Sequence, residues 1–194
     1  MTSRRERLEL RKLEAEVLEL EHENAHHAHR VYTFSHDIHP STVRRAITTI
    51  DGWARRDPNT PIELVLTSPG GYVFDGLAFY DFLAGHVAEG VPITVRALGY
   101  VASMATVILQ AGTVRSISPN SWLMIHEVAT GVWGKTSELR DEVELSERLE
   151  ERLLELLAER STLTAKQIRQ RSRRRDWWIP ATEAARLGLV DEVR

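Results

Sequence analysis

Apolar and polar positions alternate in two rhythms along this chain, and the change from one to the other marks its elements. Over residues 4–29, Leu10, Leu13, Val17 and Leu20 fall at spacings of three and four in a charged stretch free of Gly and Pro, with Asn24 and His27 continuing the register. That period predicts a short amphipathic helix needing a partner surface, either a second copy in a coiled coil or the body of the protein. Beyond it, short apolar runs alternate with helical stretches. Residues 31–34 (VYTF) read as a strand, residues 41–55 as a helix capped by Ser41, and Asp57-Pro58-Asn59 as a turn. The strand IELVL (62–66) runs into Ser68-Pro69-Gly70-Gly71, and a helix follows over 75–83. A strand over 93–98 leads to a helix over 103–110 with Gly112 as its C-terminal cap. Strand, glycine turn and helix in repetition predict an α/β domain with mainly parallel strands. Two strands, 114–117 and 122–125, flank the turn Ser118-Pro119-Asn120, and a long helix spans 137–160. On that helix Leu139, Val143, Leu153 and Leu157 form one stripe and Leu145, Leu149 and Leu156 an adjacent one. One stripe suffices for a monomer, so the second predicts packing against another subunit.

A chain of 194 residues supports one principal domain. The pattern divides it into an N-terminal segment, 1–29, and a body, 30–194. With 28 acidic and 25 basic residues the formal charge is −3, so the broad basic field of a nucleic-acid binder is missing. There is no cysteine, which excludes disulfides, a thiolate nucleophile and cysteine-ligated zinc. Neither a signal peptide nor a membrane-spanning run is visible, and the expected location is cytoplasmic.

Serine, threonine or carboxylate chemistry remains. Ser103 opens the helix in GYVASMATVILQAG, where first-turn N–H groups and the helix dipole could stabilise an oxyanion; the same position suits a simple helix cap. The G-x-S-x-G elbow of the α/β-hydrolases is absent. Gly70-Gly71 could bring a backbone N–H close to a ligand, or merely make a tight turn. His126 ends the strand WLMIH, at the edge where sites in α/β sheets gather, though a strand-end histidine can equally be structural. Asp176, in RRRDWW, suits either an orienting acid or a surface ion pair. Two further motifs carry weaker signals. His22-Glu23-Asn24-Ala25-His26 matches H-E-x-x-H, yet it lies in a polar helix without an evident third ligand, so adventitious metal binding is expected there before catalytic zinc. Arg169, Arg171 and Arg173 to Arg175 read as a solvated basic face or as ion-pair partners before they read as a phosphate grip.

Taken in order, these pieces resemble the proteolytic subunit of the Clp protease, a serine peptidase with a crotonase-like fold. The resemblance rests on Ser68 to Gly71, Ala102 to Met104, Pro119 to Ser121, Met124 to His126, and Asp176 followed by Trp177, Trp178, Ile179, Glu183, Ala184 and Gly188 to Asp191, and it covers about Ile62 to Val193. It implies that Ser103 is the nucleophile, His126 the general base and then acid, and Asp176 the residue orienting the imidazolium. The backbone N–H groups of Gly71 and Met104 would bind the oxyanion, and no cofactor is needed. It also implies a ββα superhelical head, a handle helix over 137–160, and a homo-oligomer of stacked, heptamer-based rings that admits unfolded or small polypeptides. Four departures stand out: Ala105 replaces the usual glycine after S-M, EVATGVWGKTSE follows His126 without the usual proline, the stretch before Asp176 is one residue longer, and a charged helix replaces the N-terminal axial loop. The last leaves a Clp-type ATPase partner open and admits a phage or mobile-element version that processes capsid or scaffold protein. An inactive ring-forming paralogue and a crotonase-type acyl-CoA enzyme are the rivals, and the serine–histidine pair argues against the second.

Overall fold

A computed structural model describes Glu9, Lys12 and residues 29–194, all three isolated or leading positions being helical. The rest of the helix expected over 4–29, and the H-E-x-x-H motif within it, lie outside the described residues. From there the chain forms β1 (Val31–Phe34), α1 (Pro40–Arg56), β2 (Ile62–Ser68), α2 (Val73–Ala88), β3 (Ile93–Ala102), α3 (Met104–Leu109), β4 (Val114–Ile117), β5 (Trp122–Ile125), α4 (Thr136–Glu159), α5 (Ala165–Ser172), β6 (Trp177–Pro180), α6 (Ala181–Arg186) and β7 (Glu192–Val193). Among the described residues no helix is long and apolar enough to cross a membrane.

The expected α/β architecture is present. Strands β1, β2, β3, β4 and β7 lie side by side in one seven-stranded sheet, while β5 pairs with β3 and β6 off that path. Every pairing is parallel except β5 with β6. Parallel strands covered by helices are buried on both faces, which is why IELVL and its neighbours read as largely apolar runs. Phe34, Leu64, Leu66, Val95 and Ala97 from the sheet, Ile50 and Phe79 from the helices, and the whole of α3 form the core.

Strand β3 is the hinge of the architecture. Its first half, Thr94 to Ala97, pairs with β4, and its last residues, Tyr100 to Ala102, pair with β5. Gly99 at the changeover has φ +71°, and the register against β2 shifts between Leu66 and Ser68. The bend leaves ladder groups without strand partners, and two side chains supply them. Thr67 Oγ1 donates to the Leu98 carbonyl (2.6 Å), and Gly99 N–H donates to Ser121 Oγ (2.8 Å).

Several boundaries differ from the sequence reading. Helix α1 is capped by His39, not Ser41: His39 Nδ1 accepts from Ser41 N–H, Thr42 Oγ1 closes the capping box, and Pro40 takes the first turn. Proline is suited there because its fixed φ is already helical and the N–H it lacks would go unpaired anyway. Gly112 is not a left-handed cap, since α3 ends at Leu109 with Gln110 in ordinary helical geometry. Glycine is required there by space: a Cβ would meet Val114 O and Val95 Cγ2 at 2.9 Å. Elements α5, β6, α6 and β7 carry no clear apolar period and were not anticipated.

The C-terminal segment is fastened by Arg115, whose side chain is buried and salt-bridged to Asp191. Arg115 also donates to Gln110 Oε1 (2.6 Å) and to the carbonyls of Arg160 (2.6 Å) and Gly188 (3.0 Å), tying the ends of α3, α4 and α6 to β4. Partial burial alone would raise the Asp191 pKa, but the hydrogen bonds and charge of Arg115 outweigh it and hold the carboxyl below its ordinary value.

Candidate active site

Strand register brings the three expected side chains to one edge. Ser103 follows β3 directly, His126 follows β5, and Asp176 immediately precedes β6. Because Ala102 stands opposite Met124 in the parallel pair and Ile125 opposite Trp177 in the antiparallel pair, the next residues in each case converge on the same end of the sheet. A hydrogen bond from Ser103 N–H to the Met124 carbonyl (2.8 Å) locks the serine's backbone to the strand carrying the histidine.

Ser103 occupies the N-cap position of α3, but its hydroxyl makes no capping hydrogen bond. It lies instead 2.8 Å from His126 Nε2. Its backbone has φ 55° and ψ −128°, one of only a few non-glycine positive-φ positions among the described residues. Such a conformation costs on the order of 1–3 kcal/mol and persists only where surrounding structure imposes it. Helix capping requires neither the strain nor the histidine contact. Thr106, fully buried one turn into α3, fixes the turn from below: its Oγ1 reaches the carbonyls of Val101 (3.1 Å) and Met124 (3.0 Å).

The Gly70-Gly71 turn abuts this serine. Gly70 has φ +97°, and a Cβ added to it would fall 2.7 Å from Ser103 Cβ and 3.2 Å from Met104 N. Gly71 forms an isolated parallel bridge with Ile38, in which Ile38 N–H donates to Gly70 O (2.7 Å) and Tyr72 N–H to Ile38 O (2.9 Å). In a parallel bridge the central residue's own N–H and carbonyl project to the opposite side, so the Gly71 N–H is directed away from Ile38. Met104 N–H belongs to the first turn of α3, where the helix offers no acceptor. Gly76 on α2 leaves room for the Met104 side chain, against which a Cβ would collide. The bracing segment 35–38 was missed in the sequence; its one legible signal is the apolar Ile38 between polar neighbours.

Asp176 is near but not bonded: its Oδ1 is 3.9 Å from His126 Nδ1, beyond hydrogen-bond range, and the side chain is 59% exposed. It follows a turn in which Arg174 has φ 57° and donates its backbone N–H to Glu127 Oε2 (3.0 Å). The arginine cluster is spread over several local contacts. Arg169 pairs with Glu150 and Glu151 on α4, Arg171 lies 5.2 Å over the Trp177 ring, and Arg175 Nε donates to the Arg171 carbonyl (2.6 Å). No group of three or more metal-ligating side chains occurs among the described residues.

A pocket of about 260 Å³ opens beside Ser103 and His126. Gly71, Val73 and Met104 line it on one side, and Glu150, Leu153, Leu154 and Leu157 of α4 on another. A serine hydroxyl hydrogen-bonded to an imidazole, two backbone N–H groups at a strained turn and an adjoining, mainly apolar pocket together suit acyl transfer.

Comparisons with known proteins point the same way. A family model described as Clp protease matches residues 23–194. The chain is 33% identical over 166 residues to the ATP-dependent Clp protease proteolytic subunit 3 of Rhodococcus jostii, covering 84% of this chain and 80% of that protein. It is 35% identical over 142 residues to the ATP-dependent Clp protease proteolytic subunit of Bacteroides fragilis, covering 71% of this chain and 65% of the relative. With the proteolytic subunit 1 of Streptomyces coelicolor the identity is 35% over 139 residues, 71% of this chain and 62% of the relative. The last two are thus spanned over slightly less than two thirds of their length.

Proposed function

The chain belongs to the Clp protease family, and from that premise we propose that it is a serine endopeptidase working through Ser103, His126 and Asp176. The observation that carries the reading is the 2.8 Å contact between Ser103 Oγ and His126 Nε2, made by a serine whose backbone is strained and whose hydroxyl caps nothing. In this reading His126 is neutral with its proton on Nδ1, so that Oγ–H donates to Nε2. Attack of Oγ on a peptide carbonyl passes the proton to His126, while the Gly71 and Met104 N–H groups receive the developing oxyanion. His126 then protonates the leaving amine, and a water activated at the same nitrogen hydrolyses the acyl-enzyme. No cofactor takes part. Asp176 orients the ring and stabilises the imidazolium once it closes the remaining distance of about 1 Å to hydrogen-bond contact.

The substrate in this proposal is an unfolded or small polypeptide, admitted to a chamber built from copies of this chain, with stacked rings as the assembly. A Clp-type ATPase is the partner in keeping with relatives named as subunits of an ATP-dependent protease, and processing of a capsid or scaffold protein is the variant suited to a chain with a charged N-terminal segment. The test is labelling of the purified protein by a fluorophosphonate. Wild type should be labelled and Ser103→Ala should not; failure of the assembled wild-type protein to label overturns the nucleophile assignment and restores the inactive ring-forming reading.

A further inference from the structure

We infer that Glu150 is a specificity-determining residue that adapts the pocket beside Ser103 to a substrate side chain with an aliphatic stem and a cationic head, lysine or arginine. This rests on the peptidase reading. Glu150, Leu153, Leu154 and Leu157 stand at positions i, i+3, i+4 and i+7 of α4 and form one face of that helix, all four lining the pocket. Three are leucines, so the wall is apolar except for one carboxylate at its N-terminal end. A second carboxylate, Glu127, also lines the pocket, which has no lysine or arginine in its lining.

Neither negative charge is fully balanced in place. Among the described residues Glu127 accepts a backbone N–H, from Arg174 at 3.0 Å, and forms no ion pair. Glu150 accepts Val128 N–H at 3.3 Å and meets Arg169 Nε at 3.4 Å, but that guanidinium makes its closer contact with Glu151. A purely apolar substrate side chain would fill the leucine wall but add nothing to the partial neutralisation that Glu150 receives from Arg169. Lysine or arginine would lay its methylene stem along the leucines and bring its head to Glu150, so stem and charge are both satisfied.

The experiment compares fluorogenic peptides differing only in Leu or Lys at the residue whose carbonyl is attacked. It uses the full chain, with rates counted per fluorophosphonate-titratable Ser103. Wild type should cleave the Lys peptide at least as efficiently as the Leu peptide, and the preference should weaken as ionic strength rises. Glu150→Gln keeps an oxygen to accept from Val128 N–H but removes the charge; the Lys-to-Leu ratio of kcat/KM should fall about fivefold, mostly through KM, as expected for loss of one partly solvated ion pair. Glu150→Asp should retain most of the ratio. An unchanged ratio in Glu150→Gln with titratable Ser103 intact overturns this inference and leaves the peptidase reading standing. Absence of any titratable Ser103 in wild type overturns both.

Discussion

At the scale of residues, the site is decided by what Ser103 does not do. A serine opening a helix normally spends its hydroxyl on first-turn N–H groups, yet this one faces His126 while its backbone bears a positive φ. Position in the sequence could not separate the two roles, because capping and catalysis ask for the same residue at the same place. The neighbouring motifs tilt the choice, since Ser68 to Gly71 and His126 are part of the resemblance that reads Ser103 as a nucleophile. Asp176 is the member whose place the sequence left least defined: the arginine turn before it carries an extra residue, and the side chain stands 3.9 Å from the imidazole. In a closed Ser-His-Asp triad, replacing the acid by its amide costs about 10⁴-fold in kcat. An exposed, unbonded carboxylate contributes less, so Asp176→Asn should slow peptide hydrolysis by about 10- to 100-fold. Steady-state kinetics on a short peptide measures it, and a variant as fast as wild type would remove Asp176 from the mechanism.

At the scale of elements, the geometry depends on how β3 hands the chain to α3. Strands β1, β4 and β5 were legible with their observed bounds because each is a short run containing β-branched or aromatic residues, and the Ser118-Pro119-Asn120 turn separates the last two. The length of β3 was not, since Leu98, Gly99 and Tyr100 lie at a bend where side chains are exposed and a glycine punctuates the run. Helix α5 and strand β6 escaped notice for a related reason: RQRSRRRDWW is too polar to show a period, and its order comes from Arg169 reaching α4 and from pairing with β5. Within α3 every residue is buried, so apolar packing cannot by itself choose the helix's rotation about its axis; the Thr106 hydroxyl, shared between the Val101 and Met124 carbonyls, does. Thr106→Val keeps the shape and removes that tether. It should cost about 1–2 kcal/mol of stability, and it should slow fluorophosphonate labelling beyond what loss of folded protein explains. Thermal denaturation and labelling rates read the two effects separately; a variant less stable but labelled at the wild-type rate would reduce Thr106 to a packing residue.

At the scale of the whole molecule, α4 belongs to two environments. Its C-terminal half packs on the body through Leu154, Leu156 and Leu157, while Leu139, Val143 and Leu145 in the N-terminal half are exposed. Just before it, Trp133 is 99% exposed. The two apolar stripes read from the sequence were therefore real as residues, but they divide along the helix more than around it: one end serves the fold and the other is left for something else. Two exposed turns of aliphatic side chains on a helix otherwise rich in charge are costly to keep in water, and a second copy presenting the same surface would cover them symmetrically. If that copy also completes the chamber, assembly and activity must fall together. Leu139→Glu with Val143→Glu places like charges on both sides of such a contact, whereas the same change on an unpaired helix is nearly neutral for folding because both positions are solvated. Native mass measurement should show the double variant as smaller species than wild type at equal concentration, with circular dichroism unchanged and peptide hydrolysis reduced at least tenfold. Retention of the wild-type mass would show that this half of α4 faces solvent in the assembly and that the rings, if they form, are joined elsewhere.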